Sequence, residues 1–425
     1  MTSGVHASED LLFSVLVQLI IMIGAARALN IVTRRLGQPG AVGEIVAGLL
    51  LGPSLLGALA PGLSLALFGA SPAPAVTIIS QIGLTLLMFQ IGMEFEFGHL
   101  QTPQHRKGAL LIAGASVLVP LLCGFALGWL SAPVLAPGID PLLYSLFFGN
   151  ALAITALPIL GRILAQFGLT DRPVGVVAIA AAAVNDVAGW VLLASISALA
   201  AAHFSAGSLA LQLVGIATLL ILARTVLAPL ASRLVAAFPI IAGRLDPTLM
   251  AAILALVFAL AICTYKLGIF AIFGGFLAGL IMHRHGDFVA AWKGQVGSFV
   301  LVFFLPVFFT YTGLRTNLLG LGASDIAWLA IILAVAILAK IIPVYFAARI
   351  SGYTPAESAV LGSLMNTRAL MELIVLNIGY DLGFLPQKVF TMLVVMAVVT
   401  TVMTGPLLTW LLPRIGHVIP KGVEA

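Results

Sequence analysis

Charge is what this sequence has least of. Only 8% of its 425 residues are charged, against roughly 25% in soluble globular domains. No polar stretch is long enough for a separate soluble domain. A length that would ordinarily divide into two or three domains therefore reads as one membrane unit over residues 11–412. The formal net charge of +5 does not mark a nucleic-acid partner, because in such a chain the placement of the cations matters more than their sum. Cysteine is nearly absent. Cys123 and Cys263 sit in separate apolar segments with no Cys or His at metal-ligand spacing, so both are assigned to buried packing. No basic n-region precedes the apolar run that follows Asp10 and continues past ~20 residues, which makes it a span rather than a cleaved signal peptide. There is no motif for nucleotide, haem, zinc or nucleophilic catalysis, and no paired catalytic Asp, HExxH or Ser–His set. Neither a cofactor nor an enzymatic activity is expected.

Hydrophobic residues are abundant, at 61%. A helix needs ~20 apolar residues to cross the hydrocarbon core. The sequence offers thirteen such stretches, at about 11–33, 39–57, 74–96, 108–131, 141–167, 173–202, 206–235, 247–265, 268–284, 296–315, 325–350, 355–380 and 386–412. The fold class expected is thus an all-α polytopic membrane protein. With the amino terminus outside, one set of loops carries Arg34, Arg35, Arg106, Lys107, Arg172, Arg233, Arg244, Arg284, Lys293, Arg349, Arg414 and Lys421, and the other only Lys266, Arg315 and Lys388. The positive-inside rule puts the rich set, and the carboxyl terminus, in the cytoplasm.

Thirteen spans divide into a first group of six (11–202), a connecting helix (206–235) and a second group of six (247–412). A group displaced by seven spans is inverted in the membrane, which is a transporter architecture. The fifth member of each group is interrupted. One reads PLLYSLFFGNALAITALPILGRILAQFG, with Asn150, Thr155 and Pro158 at its centre; proline removes a backbone donor and clashes with the preceding turn. The other reads PAESAVLGSLMNTRALMELIVLNIG, with Asn366, Thr367 and Arg368 at its centre. A broken helix bares amide and carbonyl groups that are tolerated only against protein or water, and its carbonyl ends favour cations. The two breaks are expected to lie together near mid-membrane.

Few charges lie deep in spans. Asp186 falls near the middle of the sixth, inside AIAAAAVNDVAGWVLLA, where an Asp costs ~2.5–3.5 kcal/mol. A carboxylate that holds either a proton or a cation is the minimum equipment for exchange. Lys340, in the eleventh span, is too far from a helix end to snorkel. It calls for an anionic partner, with Asp186 and Glu372 the candidates. Arg368 and Glu372 stand at i and i+4 and can pair along one helix face. Glu44 and Arg27 lie nearer the membrane edge. His99, His105, His283 and His285 read as solvated loop residues.

At GEIVAGLLLGPSLLG, ALAITALPILGRIL, AAAVNDVAGW, Lys340 and GSLMNTRALMEL, the chain resembles the monovalent cation:proton antiporter-2 family, which includes bacterial sodium/proton antiporters, Kef-type exchangers and plant cation/proton exchangers. The resemblance implies a homodimer in the bilayer of a bacterial inner membrane. It implies a dimerisation domain, a six-helix core with two crossed broken helices, and exchange of Na+ or K+ for H+ by alternating access. Asp186 matches the carboxylate that binds ion and proton, Thr155 the interrupted helix beside the ion, and Lys340 the lysine that pairs with a carboxylate there. Asn185 stands where electrogenic members carry a second Asp, which favours electroneutral exchange. The nucleotide-binding domain of Kef relatives is not expected, since the sequence ends at Ala425. Two other readings are a sodium-coupled symporter of an organic solute and a non-transporting sensor or scaffold of the same fold.

Overall fold

The computed structural model describes residues 2–36, 38–69, 74–93, 103–201, 206–241 and 243–418. His99 and Lys421 lie outside the described residues, as do the side chains of His105 and Arg106.

The described residues are predominantly helical, as apolar runs require of a backbone with no water to bond. In order the helices are α1 (Thr2–Arg35), α2 (Gly40–Leu51), α3 (Leu56–Leu59), α4 (Pro61–Phe68), α5 (Pro74–Met93), α6 (Pro103–Leu135), α7 (Pro141–Ala153), α8 (Leu157–Gln166), α9 (Pro173–Ala201), α10 (Ala206–Leu222), α11 (Ala228–Ala237), α12 (Pro247–Lys266), α13 (Ala271–Met282), α14 (Gly286–Trp292), α15 (Leu305–Leu314), α16 (Ala323–Ile350), α17 (Pro355–Met365), α18 (Leu370–Asp381) and α19 (Gln387–Leu411). A π-helical turn, Ala223–Leu227, joins α10 to α11. Among the described residues there is no strand, only an isolated bridge between Ile241 and Arg244.

Among the described residues twelve spans are long and apolar enough to cross a membrane. The ninth stretch expected from the sequence, 268–284, forms the shorter helix α13. Its 12 residues reach ~18 Å at 1.5 Å each, against ~30 Å of hydrocarbon. Cys263 also departs from expectation. It is exposed on α12, because an apolar side chain on the outer face of a membrane helix is covered by lipid rather than by protein.

Two compact units form from non-contiguous stretches. One comprises Met1–Ile23, Ser71–Glu96 and Ala194–Tyr311. Inside it α5, α12 and α13 approach backbone to backbone. A side chain at Gly275 would strike the Thr85 carbonyl, one at Gly279 the Phe89 carbonyl, and one at Gly274 the Leu260 backbone. Between membrane helices small residues at the contact are what allow close packing. Gly279→Leu is therefore expected to cost ~1–3 kcal/mol or more through overpacking, read as a lowered melting temperature in detergent. Gly286→Ala, which meets nothing within 4 Å, should melt with the parent. Equal melting of both variants would count against this account.

The second unit comprises Gly24–Ala70, Phe97–Leu193 and Thr312–Ala425. Here α6 packs along α7, with Gly124 against Gly149 and Gly128 against Ser145. This unit also holds both interrupted spans, and they are the most enclosed of the twelve. The central windows of Pro355–Asp381 and Pro141–Gln166 are 94% and 78% buried. The reason is that non-helical backbone at membrane depth must be covered by protein.

Candidate functional site

The first break is Ile154-Thr155-Ala156, between α7 and α8. Ile154 is extended, at φ −72° and ψ 143°. Pro158 falls in the first turn of α8, where a missing N–H is harmless. That same missing donor cannot bond the Ile154 carbonyl, so the two helices cannot fuse. The second break runs from Asn366 to Ala369, between α17 and α18. Ala369 has φ +95° and is the one non-glycine residue with positive φ among the described residues, a strained conformation.

Four helix ends meet inside the unit, each with orphan backbone groups. The two breaks satisfy one another across the chain. The Ala156 N–H donates to the Thr367 carbonyl at 3.1 Å, and the Thr155 hydroxyl donates to the Met365 carbonyl at 2.9 Å. The α7 carbonyl end is met by two cations. Lys340 Nζ donates to the carbonyls of Ala153 and, at 2.8 Å, Ser116. Arg368 Nη1 donates to Ala151 at 2.9 Å and Nη2 to Ala336 at 3.2 Å. A cation at the negative end of a helix is well placed.

These contacts revise one pairing expected from sequence. Lys340 forms no ion pair within 4.0 Å among the described residues; it caps α7, whose bared carbonyls are nearer than either carboxylate. Arg368 precedes α18, and it forms the i, i+4 ion pair with Glu372, long at 3.9 Å from Nη1 to Oε2 and without a hydrogen bond.

Asn185 ties three elements. Its Oδ1 accepts from the Thr155 amide at 3.2 Å, and its Nδ2 donates to Ser116 Oγ at 2.6 Å and Thr155 Oγ1 at 3.1 Å. Asp186 is different. It is 2% exposed, and neither oxygen accepts a hydrogen bond from a protein group. The Leu157 amide, first in α8, approaches it without closing a bond. Beside the carboxylate is a narrow void, too tight for a water molecule, lined by Ile154, Trp190, Met371 and Val375. Glu372, Asn150 and Asn366 are fully buried, and their polar side-chain atoms likewise bond no protein group.

Sequence reasoning missed the hydroxyls that hold this arrangement. Thr401 Oγ1 accepts the Arg368 amide at 3.2 Å, and Thr404 Oγ1 lies 3.4 Å from Thr367 Oγ1. The run VVTTVMTGP on α19 was a signal available for them. A single Ser116 in an apolar span offered none.

Two interrupted helices whose breaks bond one another beside a buried carboxylate define a membrane transporter of the broken-helix kind. The chain belongs to the transmembrane sodium/hydrogen exchanger family, whose model matches residues 19–414. It is 35% identical over 416 residues to the Na(+)/H(+) antiporter NhaS4 of Synechocystis sp., covering 96% of this chain and 99% of that protein. It is 34% identical over 393 residues to the cation/H(+) antiporter 18 of Arabidopsis thaliana, covering 92% of this chain and 48% of the relative. The chain thus spans about half the length of that plant relative. The fold is similar to that of the sodium proton antiporter MjNhaP1 from Methanocaldococcus jannaschii, at 16% identity and a TM-score of 0.63 over 93% of this chain and 98% of the other. The protein is an integral membrane transporter, not an enzyme.

Proposed function

We propose that the protein exchanges a monovalent cation, Na+ or K+, for protons by alternating access, with Asp186 as the group that holds each in turn. The observation that carries this reading is the Asp186 carboxylate, buried beside two helix breaks with the Leu157 amide near it but no protein hydrogen bond closed on either oxygen. A hydrogen-bonded carboxylate is already committed; this one is free to take a proton or a metal ion. Thr155, Asn185 and the bared carbonyls of the breaks supply further oxygens nearby. Lys340 and Arg368 hold the α7 end open as a separate helix rather than neutralising Asp186 directly.

The working form is a homodimer in a bacterial inner membrane, with the amino terminus outside, the carboxyl terminus in the cytoplasm, and α13 completing a thirteenth crossing between two inverted six-helix repeats. The primary test is proton flux from proteoliposomes on adding Li+, Na+, K+ or Rb+ in turn. A response to Na+ or K+ is expected, and none to any cation would refute the proposal.

Stoichiometry is a separate expectation. Asn185 cannot titrate, and its amide is engaged by Thr155 and Ser116. One carboxylate that gives up one proton for one cation moves no net charge. An imposed membrane potential without ion gradients is expected to drive no exchange. Flux under potential alone would show net charge movement. If Lys340→Gln then removed that sensitivity, the second proton would belong to Lys340, a residue type whose protonation shifts readily on burial.

A further inference from the structure

Arg224 is an arginine in a place that ordinarily excludes one. It lies near the middle of the span Ala210–Ala237, which at 6% is the least buried of the twelve. Its side chain is exposed and makes no ion pair or hydrogen bond among the described residues. An arginine facing hydrocarbon is costly unless it reaches water, a headgroup or an anion. The neighbouring structure explains how it reaches one. Arg224 sits in the π-helical turn Ala223–Leu227, against the end of α13. That helix is short by roughly 12 Å of the hydrocarbon thickness. Immediately past its last residue, Met282, come His283 and Arg284. A short helix draws the polar boundary of the bilayer inward on its side, by thinning or by hydration.

Arg224 and Arg284 line one groove, whose walls are Leu220, Leu277, Leu280 and Ile281. Its volume is ≈ 510 Å³, including the open mouth. Arg284, like Arg224, is exposed and has no anionic partner among the described residues. Two arginines on one groove, with no carboxylate between them, leave the site short of negative charge. The walls below them are aliphatic. A ligand complementary to both features carries a phosphate at one end and an alkyl chain at the other. We propose that this groove is a site for one anionic phospholipid, its phosphate between Arg224 and Arg284 and an acyl chain along the leucines of α10 and α13. Basic recesses between membrane helices recognise anionic headgroups in this way.

The test uses the full chain, purified and delipidated, with native mass spectrometry and thermal melting in the presence of phosphatidylglycerol, phosphatidylcholine or inorganic phosphate. Phosphatidylglycerol should be retained as a one-per-chain adduct and should raise the melting temperature; phosphatidylcholine and inorganic phosphate should do neither. The Arg224→Gln/Arg284→Gln variant should bind phosphatidylglycerol about 30-fold more weakly, from two surface cations. The Arg224→Lys/Arg284→Lys variant, which keeps the charge, controls for folding and should retain the adduct. Several results would overturn the proposal. One is equal phosphatidylglycerol affinity in the glutamine variant. Others are equal retention of the zwitterionic lipid, or full stabilisation by inorganic phosphate alone. A glutamine variant whose only defect is loss of self-association would assign the groove to a second copy of the chain instead.

Discussion

Asp186→Asn is expected to reduce cation-dependent proton flux to the level of protein-free liposomes while leaving a protein that melts at or above the parent temperature. Asparagine has almost the shape of aspartate, so the packing with Ile154, Trp190, Met371 and Val375 around the void is kept. Neither Asp186 oxygen accepts a protein hydrogen bond, so the exchange of side chains breaks none. An Asp in mid-membrane costs ~2.5–3.5 kcal/mol, and removing that charge relieves a penalty. Function and stability should therefore move in opposite directions, which distinguishes a transport site from a structural salt bridge. Residual cation-dependent flux in purified Asp186→Asn, above that of empty liposomes, would end the proposal that this carboxylate is the shared site. Loss of flux together with a large fall in melting temperature would instead assign Asp186 a structural role.

Arg368→Met is expected to do the reverse and to damage the fold first. Arg368 is fully buried. Its guanidinium bonds the carbonyls of Ala151 and Ala336 and is the cation nearest the buried Glu372, 3.9 Å away. Methionine fills much of the volume but leaves the Ala151 carbonyl at the α7 end without its partner and one carboxylate buried without its counter-charge. Removing one partner of a buried pair typically costs ~3–5 kcal/mol, enough to unfold a marginal protein. The double variant Arg368→Met/Glu372→Gln removes the stranded charge as well and should recover ~0.5–3 kcal/mol of the loss. Thermal unfolding in detergent measures both. Arg368→Met melting with the parent, or a double variant less stable than the single, would show that the pair and the carbonyl caps contribute little.

Much of the molecule was legible in the sequence because the bilayer leaves the backbone few options. Apolar runs must be helices, so the spans could be read from residue type alone. The two breaks were visible too. Pro158 forbids one helical hydrogen bond at a definable carbonyl, and Asn366-Thr367-Arg368 interrupts an otherwise apolar span at the matching place. Asp186 stood out because a lone mid-membrane carboxylate is costly enough to need a reason.

Tertiary structure decided who partners whom. Lys340 carried a charge that demanded an anion, yet it bonds carbonyls of Ser116 and Ala153, 224 and 187 residues away along the chain. Nothing local predicts those, because the negative end of α7 exists only once the helix has broken and the other spans have closed around it. Asn185 is held by three bonds to Ser116 and Thr155, which depends on α6 and α9 meeting at that height. Arg368 forms the i, i+4 ion pair with Glu372 but also occupies the break, where it reaches two distant carbonyls, since Ala369 turns the chain before α18 begins. The sequence by itself determined where the chain must be helical, where it must break and which charge stands alone. Partner choice among buried polar groups was left to the fold, because it rests on distances between segments far apart in the chain, and only close packing sets those.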